Sequence, residues 1–147
     1  MSLKEKLMED LKTAMKEKEQ LKKSVITMVR ASIKQYEVDH RAEVDDEGIV
    51  DIMTKQVKQK KDAIEEFTKG GREDLVNEAK AEIDVLMTYL PEQLTEEEIS
   101  EIVVQVLKET GASTAKDMGK VMAALMPKVK GRADGKLVNQ VVKKHLQ

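Results

Sequence analysis

The segment Thr95-Glu-Glu-Glu-Ile-Ser-Glu-Ile-Val-Val-Gln-Val-Leu107 has the clearest helical pattern in the chain. Its apolar residues recur at intervals of three and four, as on one face of an amphipathic helix. Thr95 and Glu98 form a capping-box pattern, in which the Thr side chain caps free backbone N–H groups and the Glu side chain reaches back. Gly111 is placed to end this helix. The segment therefore predicts a helix that begins just after Thr95.

The same periodicity extends in both directions along the 147 residues. Upstream it predicts four helices, with a polar loop over residues 39–48, a stop at Gly70-Gly71 and a last helix halted by Pro91. Downstream it predicts two more helices, on either side of a basic turn. Aromatic residues are only 2% of the chain and charged residues 37%, as expected of an aliphatic core within charged helices. We predict an all-α fold, with a four-helix domain over residues 1–91 and a three-helix domain over residues 95–147.

Composition excludes several classes of protein. There is no Cys, and hence no disulfide, thiolate nucleophile or sulfur ligand for a metal. No apolar run is long enough to span a bilayer, and the N-terminus lacks the apolar core of a signal peptide. We therefore expect a cytoplasmic protein that does not enter a membrane.

Catalytic patterns are scarce in the sequence. The two histidines, His40 and His145, lie in unrelated places, and the runs of Glu are better explained as caps and solvated helix faces. Phosphate-binding loops, dinucleotide-binding glycine motifs and nucleophile elbows do not occur. We predict no catalytic residue, no metal site and no cofactor.

The basic turn before the last predicted helix is the main candidate for binding. It holds Lys128, Lys130, Arg132 and Lys136 within nine residues, with Gly131 and Gly135 allowing the backbone to bend. Asp134 is placed as the N-cap of the next helix. Residues 112–147 contain eight basic and two acidic residues, although the whole chain has a net charge of −2. Contact with a polyanion and a plain solvated turn explain this turn equally well on physical grounds.

Several short motifs resemble the GatB/YqeY family. They are Tyr89-Leu-Pro-Glu-Gln-Leu, Asp117-Met-Gly-Lys-Val-Met122 and Lys130-Gly-Arg-Ala-Asp-Gly135, with further likeness at Val57-Lys-Gln-Lys-Lys-Asp-Ala-Ile and Gly71-Arg-Glu-Asp-Leu75. The resemblance implies a C-terminal domain similar to the tail of the B subunit of the tRNA-dependent amidotransferase. That enzyme amidates glutamate or aspartate misacylated on tRNA, and its tail contacts the tRNA elbow.

The resemblance suggests tRNA contacts at particular residues of this chain. The cations carried over are Lys120, Lys128, Lys130, Arg132 and Lys136, and the glycines that would shape the surface are Gly119, Gly131 and Gly135. The amidotransferase's catalytic cradle and its amidase nucleophile segment have no counterpart here. The leading hypothesis is a tRNA-binding accessory protein, with a possible protein partner in tRNA-dependent amidation. The alternatives are a protein–protein adaptor, or an accessory component of a carbon–nitrogen ligase that uses glutamine as amide donor.

Overall fold

A computed structural model describes residues 1–146, and in that range the chain is all-α, as predicted, with no β-strand. A short 3₁₀ turn, Ala115–Asp117, precedes the sixth α-helix. The α-helices are α1 (Leu3–Lys16), α2 (Gln20–His40), α3 (Asp46–Lys69), α4 (Glu73–Met87), α5 (Glu96–Thr110), α6 (Met118–Val129) and α7 (Gly135–Leu146). None of these helices is long and apolar enough to cross a membrane.

The chain forms two compact units, the first over Met1–Leu90 and the second beginning at Pro91. In the first unit α1 packs against α2, and α3 packs extensively against α4. The core is aliphatic apart from Tyr89. Its buried members are Leu7, Val25, Ile26, Val29, Ile33, Val44, Ile49, Met53, Val57, Leu86 and Tyr89.

Tyr89 anchors the C-terminal end of the first unit to its first helix. Its hydroxyl donates a 2.5 Å hydrogen bond to the Asp10 carboxylate, and the Lys6 ammonium lies 5.5 Å from the centre of its ring. Burial, followed by the bond to Asp10, raises the pKa of the Tyr89 hydroxyl well above its usual value. The Tyr of the Tyr-Leu-Pro motif is therefore a core residue with a satisfied hydroxyl.

The second unit packs α6 and α7 against α5. The predicted capping box is present, since the Glu98 amide donates to Thr95 Oγ1 and the Thr95 amide donates to the Glu98 carboxylate. Gly111 ends α5 with a left-handed φ of 69°, the conformation that favours glycine there. The buried core consists of Leu94, Ile99, Val103, Val106, Val121, Leu125, Val129, Val138, Val141, Val142 and Leu146.

Two predicted boundaries differ from the structure. The loop predicted over residues 39–48 is only five residues long, because α2 continues to His40 and Asp45 caps α3 by accepting from the Gly48 amide at 2.8 Å. The basic turn, predicted to include Lys128, begins later, because α6 continues through Pro127 to Val129. Proline donates no helical hydrogen bond and its ring crowds the carbonyl four residues earlier, so this turn is weakened locally. Burial of Leu125 and Val129 holds the last turn in place.

Candidate nucleic-acid interface

The basic turn begins with a tight reversal at the end of α6. Lys130 has φ −55° and ψ 126°, Gly131 has φ 74°, and the Arg132 amide donates to the Val129 carbonyl at 2.9 Å. These features define a type II β-turn, whose third position needs a positive φ and hence favours glycine. Gly131 is also buried. The backbone conformation of the turn therefore explains why residue 131 is a glycine.

The turn is bonded to the segment that enters the second unit. The Leu94 amide donates to the Arg132 carbonyl at 2.7 Å, and the Gln93 side-chain amide donates to the Gly131 carbonyl at 2.9 Å. The Arg132 Nε donates to the Glu92 carbonyl at 3.4 Å. Two of the short motifs that carried the family resemblance, 38 residues apart in sequence, thus meet in space. Arg132, predicted to contact phosphate, has at least part of its guanidinium committed to this internal contact.

Lys128 lies in the last turn of α6 and not in the loop. Its ammonium pairs with the Glu109 carboxylate at 3.3 Å, joining the ends of α6 and α5. A hydrogen bond from Gln105, followed by that from Lys128, lowers the pKa of Glu109. Both side chains are about half exposed, so the pair is accessible to a phosphate that competes with the carboxylate.

Lys120 and Gly119 lie at the start of α6. Asp117 is beside them, and its carboxylate accepts from the Ser113 and Thr114 amides at 3.1 and 3.4 Å. These backbone bonds are the main reason that the pKa of Asp117 is lowered, and the charge of Lys120 lowers it further. An incoming phosphate at Lys120 therefore meets a fixed negative charge nearby.

The two other glycines of the predicted site differ from Gly131. Gly119 and Gly135 are exposed, and an added Cβ would meet no atom within 4 Å at either. Neither has a positive φ. No steric requirement of the fold explains glycine at these positions, and both leave bare backbone at the surface.

The outer face of α7 carries one cation, Lys143, that the sequence analysis did not include in the candidate site. Lys136 and Lys143 are exposed and seven residues apart, which is two helical turns and places them on one face with Gln140 between them. Within residues 1–146, Lys143 forms no hydrogen bond or ion pair. The helical spacing from Lys136 is the signal that could have identified it. Asp134 caps this helix as predicted, by accepting from the Lys136 amide at 3.0 Å.

The remaining polar residues at the end of α7 serve its packing on α5. Lys144 pairs with Glu96 at 3.0 Å, and the His145 Nε2 forms a 2.7 Å hydrogen bond with the Ser100 hydroxyl. Among the described residues, no group of three or more His, Cys, Asp or Glu side chains is arranged to hold a metal ion.

Comparison with known proteins identifies the family. Proteins named "Altered inheritance of mitochondria protein 41, mitochondrial" are similar, with 39% identity over 107 residues in Kluyveromyces lactis and 36% over 132 residues in Pyrenophora tritici-repentis. These matches cover 70% and 87% of this chain, and 57% and 71% of the two fungal proteins. The match in Candida glabrata, at 40% identity, covers 58% of this chain and 48% of that protein.

These fungal relatives are named as mitochondrial proteins, and a cytoplasmic location for this chain stays a prediction. The family model described as "Yqey-like protein" matches residues 4–146, which is nearly the whole chain. The chain therefore belongs to the YqeY-like protein family.

Proposed function

We propose that this protein binds structured RNA, and tRNA in particular, through the outer face of α7, which the basic turn before it holds in place. The observation that carries the proposal is the alignment of exposed Lys136 and Lys143 on one helix face. They belong to a block of eight basic and two acidic residues over 112–147. Such a surface attracts a phosphate backbone and releases its counterions on binding.

The composition of the second unit favours recognition of RNA shape. Its sequence contains no Phe, Tyr or Trp, so it offers no aromatic ring on which an unpaired base could stack. Lysine side chains provide point charges for phosphates and little discrimination between bases. Folded RNA, whose grooves and phosphate positions are fixed by tertiary structure, suits this kind of contact.

The biological use that we propose is assistance to tRNA-dependent amidation, by holding or delivering tRNA to a partner enzyme. The resemblance of the second unit to an amidotransferase tail supports this use. In this proposal the partner enzyme catalyses amide formation, and this chain binds the RNA. A purified chain that formed amide from glutamine and ATP would contradict that division of roles.

The test is binding of the full chain to pooled tRNA across a salt series. The variant carries Lys136→Gln and Lys143→Gln, and the matched control carries Lys12→Gln and Lys58→Gln, two exposed lysines of the first unit. Both double variants lose the same charge. Each phosphate contact contributes about one unit to the slope of log affinity against log salt concentration. The slope of the Lys136→Gln, Lys143→Gln variant should therefore be shallower than that of the wild type by about two units. The control should retain the wild-type slope.

Two results would reject the proposal. Absence of binding at low salt would remove the RNA hypothesis and leave the protein–protein adaptor as the leading alternative. Equal weakening by both double variants would show that net charge, and not the face of α7, attracts the RNA.

A further inference from the structure

The first unit contains a cavity of about 480 Å³ between α2 and α3 that the RNA proposal does not use. Helix α2 contributes Met28, Ser32, Tyr36 and His40, which recur every four residues along one face. Helix α3 contributes Ile52, Lys55, Gln56 and Gln59 from the opposite side. The volume lies within the range of small-molecule sites in proteins.

An aromatic pair lines one end of this cavity. The rings of Tyr36 and His40 are stacked, with centroids 3.9 Å apart and planes 15° from parallel. A 3.0 Å hydrogen bond between His40 Nδ1 and the Tyr36 carbonyl holds the imidazole in position. Tyr36 remains 43% exposed, although the chain has only three Phe, Tyr and Trp residues in all. The pair is a fixed planar surface that another flat ring can extend.

Seven of the ten other lining residues are polar, so the cavity offers hydrogen-bonding groups beside its apolar surface. Gln56 is bonded to Ser32 at 2.9 Å across the cavity, and Gln35 is bonded to Asp39 at 2.8 Å. Gln59 has no hydrogen bond to any residue in the range 1–146, so its donors and acceptor are available to a ligand. Carboxamides of this kind match the mixed donors and acceptors on the edge of a nucleobase.

A cation lies close to the aromatic pair. A short loop joins α2 to α3, so the two helices run antiparallel, and the bond between Gln56 and Ser32 fixes which residues lie opposite each other. In this register Lys55 on α3 lies about one helical turn along the helix axis from the position opposite Tyr36. Lys55 is exposed and, among the described residues, pairs with no carboxylate. The neighbouring Lys60 is instead held by Glu82 at 3.2 Å. Lys55 is therefore the cation that can receive a phosphate next to a stacked ring.

We infer that the cavity between α2 and α3 binds a nucleotide, with its base stacked on the Tyr36–His40 pair and its phosphate at Lys55. Gln59 bonds to the edge of the base. The site lies wholly within the first unit and does not rest on the RNA contact proposed for α7.

The experiment is a titration of the full 16.6 kDa chain with AMP, CMP, GMP and UMP, followed by NMR of the aromatic side chains. The chain has two tyrosines and two histidines, so Tyr89 and His145 are internal controls for Tyr36 and His40. A stacked base moves ring protons below it upfield. We expect saturable upfield shifts at Tyr36 and His40, larger with purines, and unchanged signals from Tyr89 and His145.

Variants separate the stacking contact from the phosphate contact. Tyr36→Leu keeps apolar bulk without a ring and should weaken AMP binding roughly tenfold, in line with the usual value of base stacking. Lys55→Gln should weaken AMP roughly two- to fivefold, as for an exposed charge pair, and leave adenosine binding unchanged. Lys58→Gln, on the same helix but outside the cavity lining, should bind AMP as the wild type does.

Three outcomes would overturn the inference. They are the absence of saturable shifts with any nucleotide at millimolar concentration, shifts that persist in Tyr36→Leu, and equal effects of Lys55→Gln and Lys58→Gln. Loss of tRNA binding by the α7 variant would leave this result unaffected, so the two proposals fail separately. Circular dichroism of each variant confirms that the fold is retained.

Discussion

Replacing Gly131 with alanine tests whether the turn before α7 is fixed by its backbone geometry. The residue has φ 74°, in the left-handed region that costs a residue with a Cβ roughly 1–2 kcal/mol. Alanine also lowers the entropy of the unfolded chain, which offsets roughly 0.4–1 kcal/mol. We therefore expect Gly131→Ala to lower the free energy of unfolding of the second unit by about 1 kcal/mol if the turn persists. Distortion of the turn would add the loss of its bonds to Gln93 and Leu94, at about 1 kcal/mol each.

Gly119→Ala is the matched control, because it makes the same chemical change at an exposed helical position. An added Cβ there meets no atom within 4 Å, so alanine should raise stability by about 0.5 kcal/mol through its higher helix propensity. Urea unfolding followed by circular dichroism at 222 nm measures both variants. The two substitutions should therefore shift the unfolding midpoint in opposite directions. A Gly131→Ala protein as stable as wild type, or more stable, would refute the argument from the type II turn.

Three further predictions concern contacts seen in the structure. Thr95→Ala removes the cap of α5 and should destabilise the second unit by about 1 kcal/mol in urea unfolding, whereas Thr95→Ser should be nearly neutral. Tyr89→Phe removes the hydroxyl bonded to Asp10 and should cost the first unit about 1–2 kcal/mol, and an unchanged midpoint would show that this bond adds nothing. The pKa of Asp117 is lowered in the folded state, so its contribution to stability is present above the unfolded pKa and is lost as pH falls through the folded pKa. Asp117→Asn should accordingly flatten the acid limb of a stability–pH curve, and an identical limb would contradict the assignment.

Most helices could be predicted from the sequence because their signals are local. The spacing of apolar residues gave the core face of α5, and the capping box at Thr95 gave its start, since both depend on residues within one or two turns. The predicted loop over residues 39–48 is too long because the contact that extends α2 leaves no signal in the local composition. Polar residues at the end of α2 suggest a loop, but His40 is held in the helix by its contacts with Tyr36, which composition does not reveal.

The contacts that shape the candidate RNA surface have no local signal. Nothing in the sequence indicates that Gln93 and Leu94 bond to the carbonyls of Gly131 and Arg132, because backbone pairing across 38 residues depends on how α5, α6 and α7 pack. For the same reason four cations in nine residues looked like one binding cluster. In the structure Lys128 pairs with Glu109, and Arg132 donates to a backbone carbonyl.

The basic residues thus fall into two groups, those with internal contacts in or beside the turn and those on the exposed face of α7, and the two groups should behave differently in the RNA experiment. A substitution at Arg132 or Gly131 loosens the turn, so it should weaken RNA binding only in proportion to the stability that it removes. A substitution at Lys136 or Lys143 removes charge from an exposed helix face, so it should weaken binding at unchanged stability and with a reduced salt slope. Plotting RNA affinity against the free energy of unfolding for both sets separates the two roles. If the turn variants bind poorly while remaining fully stable, the turn contacts the phosphates directly, and the division drawn from the hydrogen bonds is wrong.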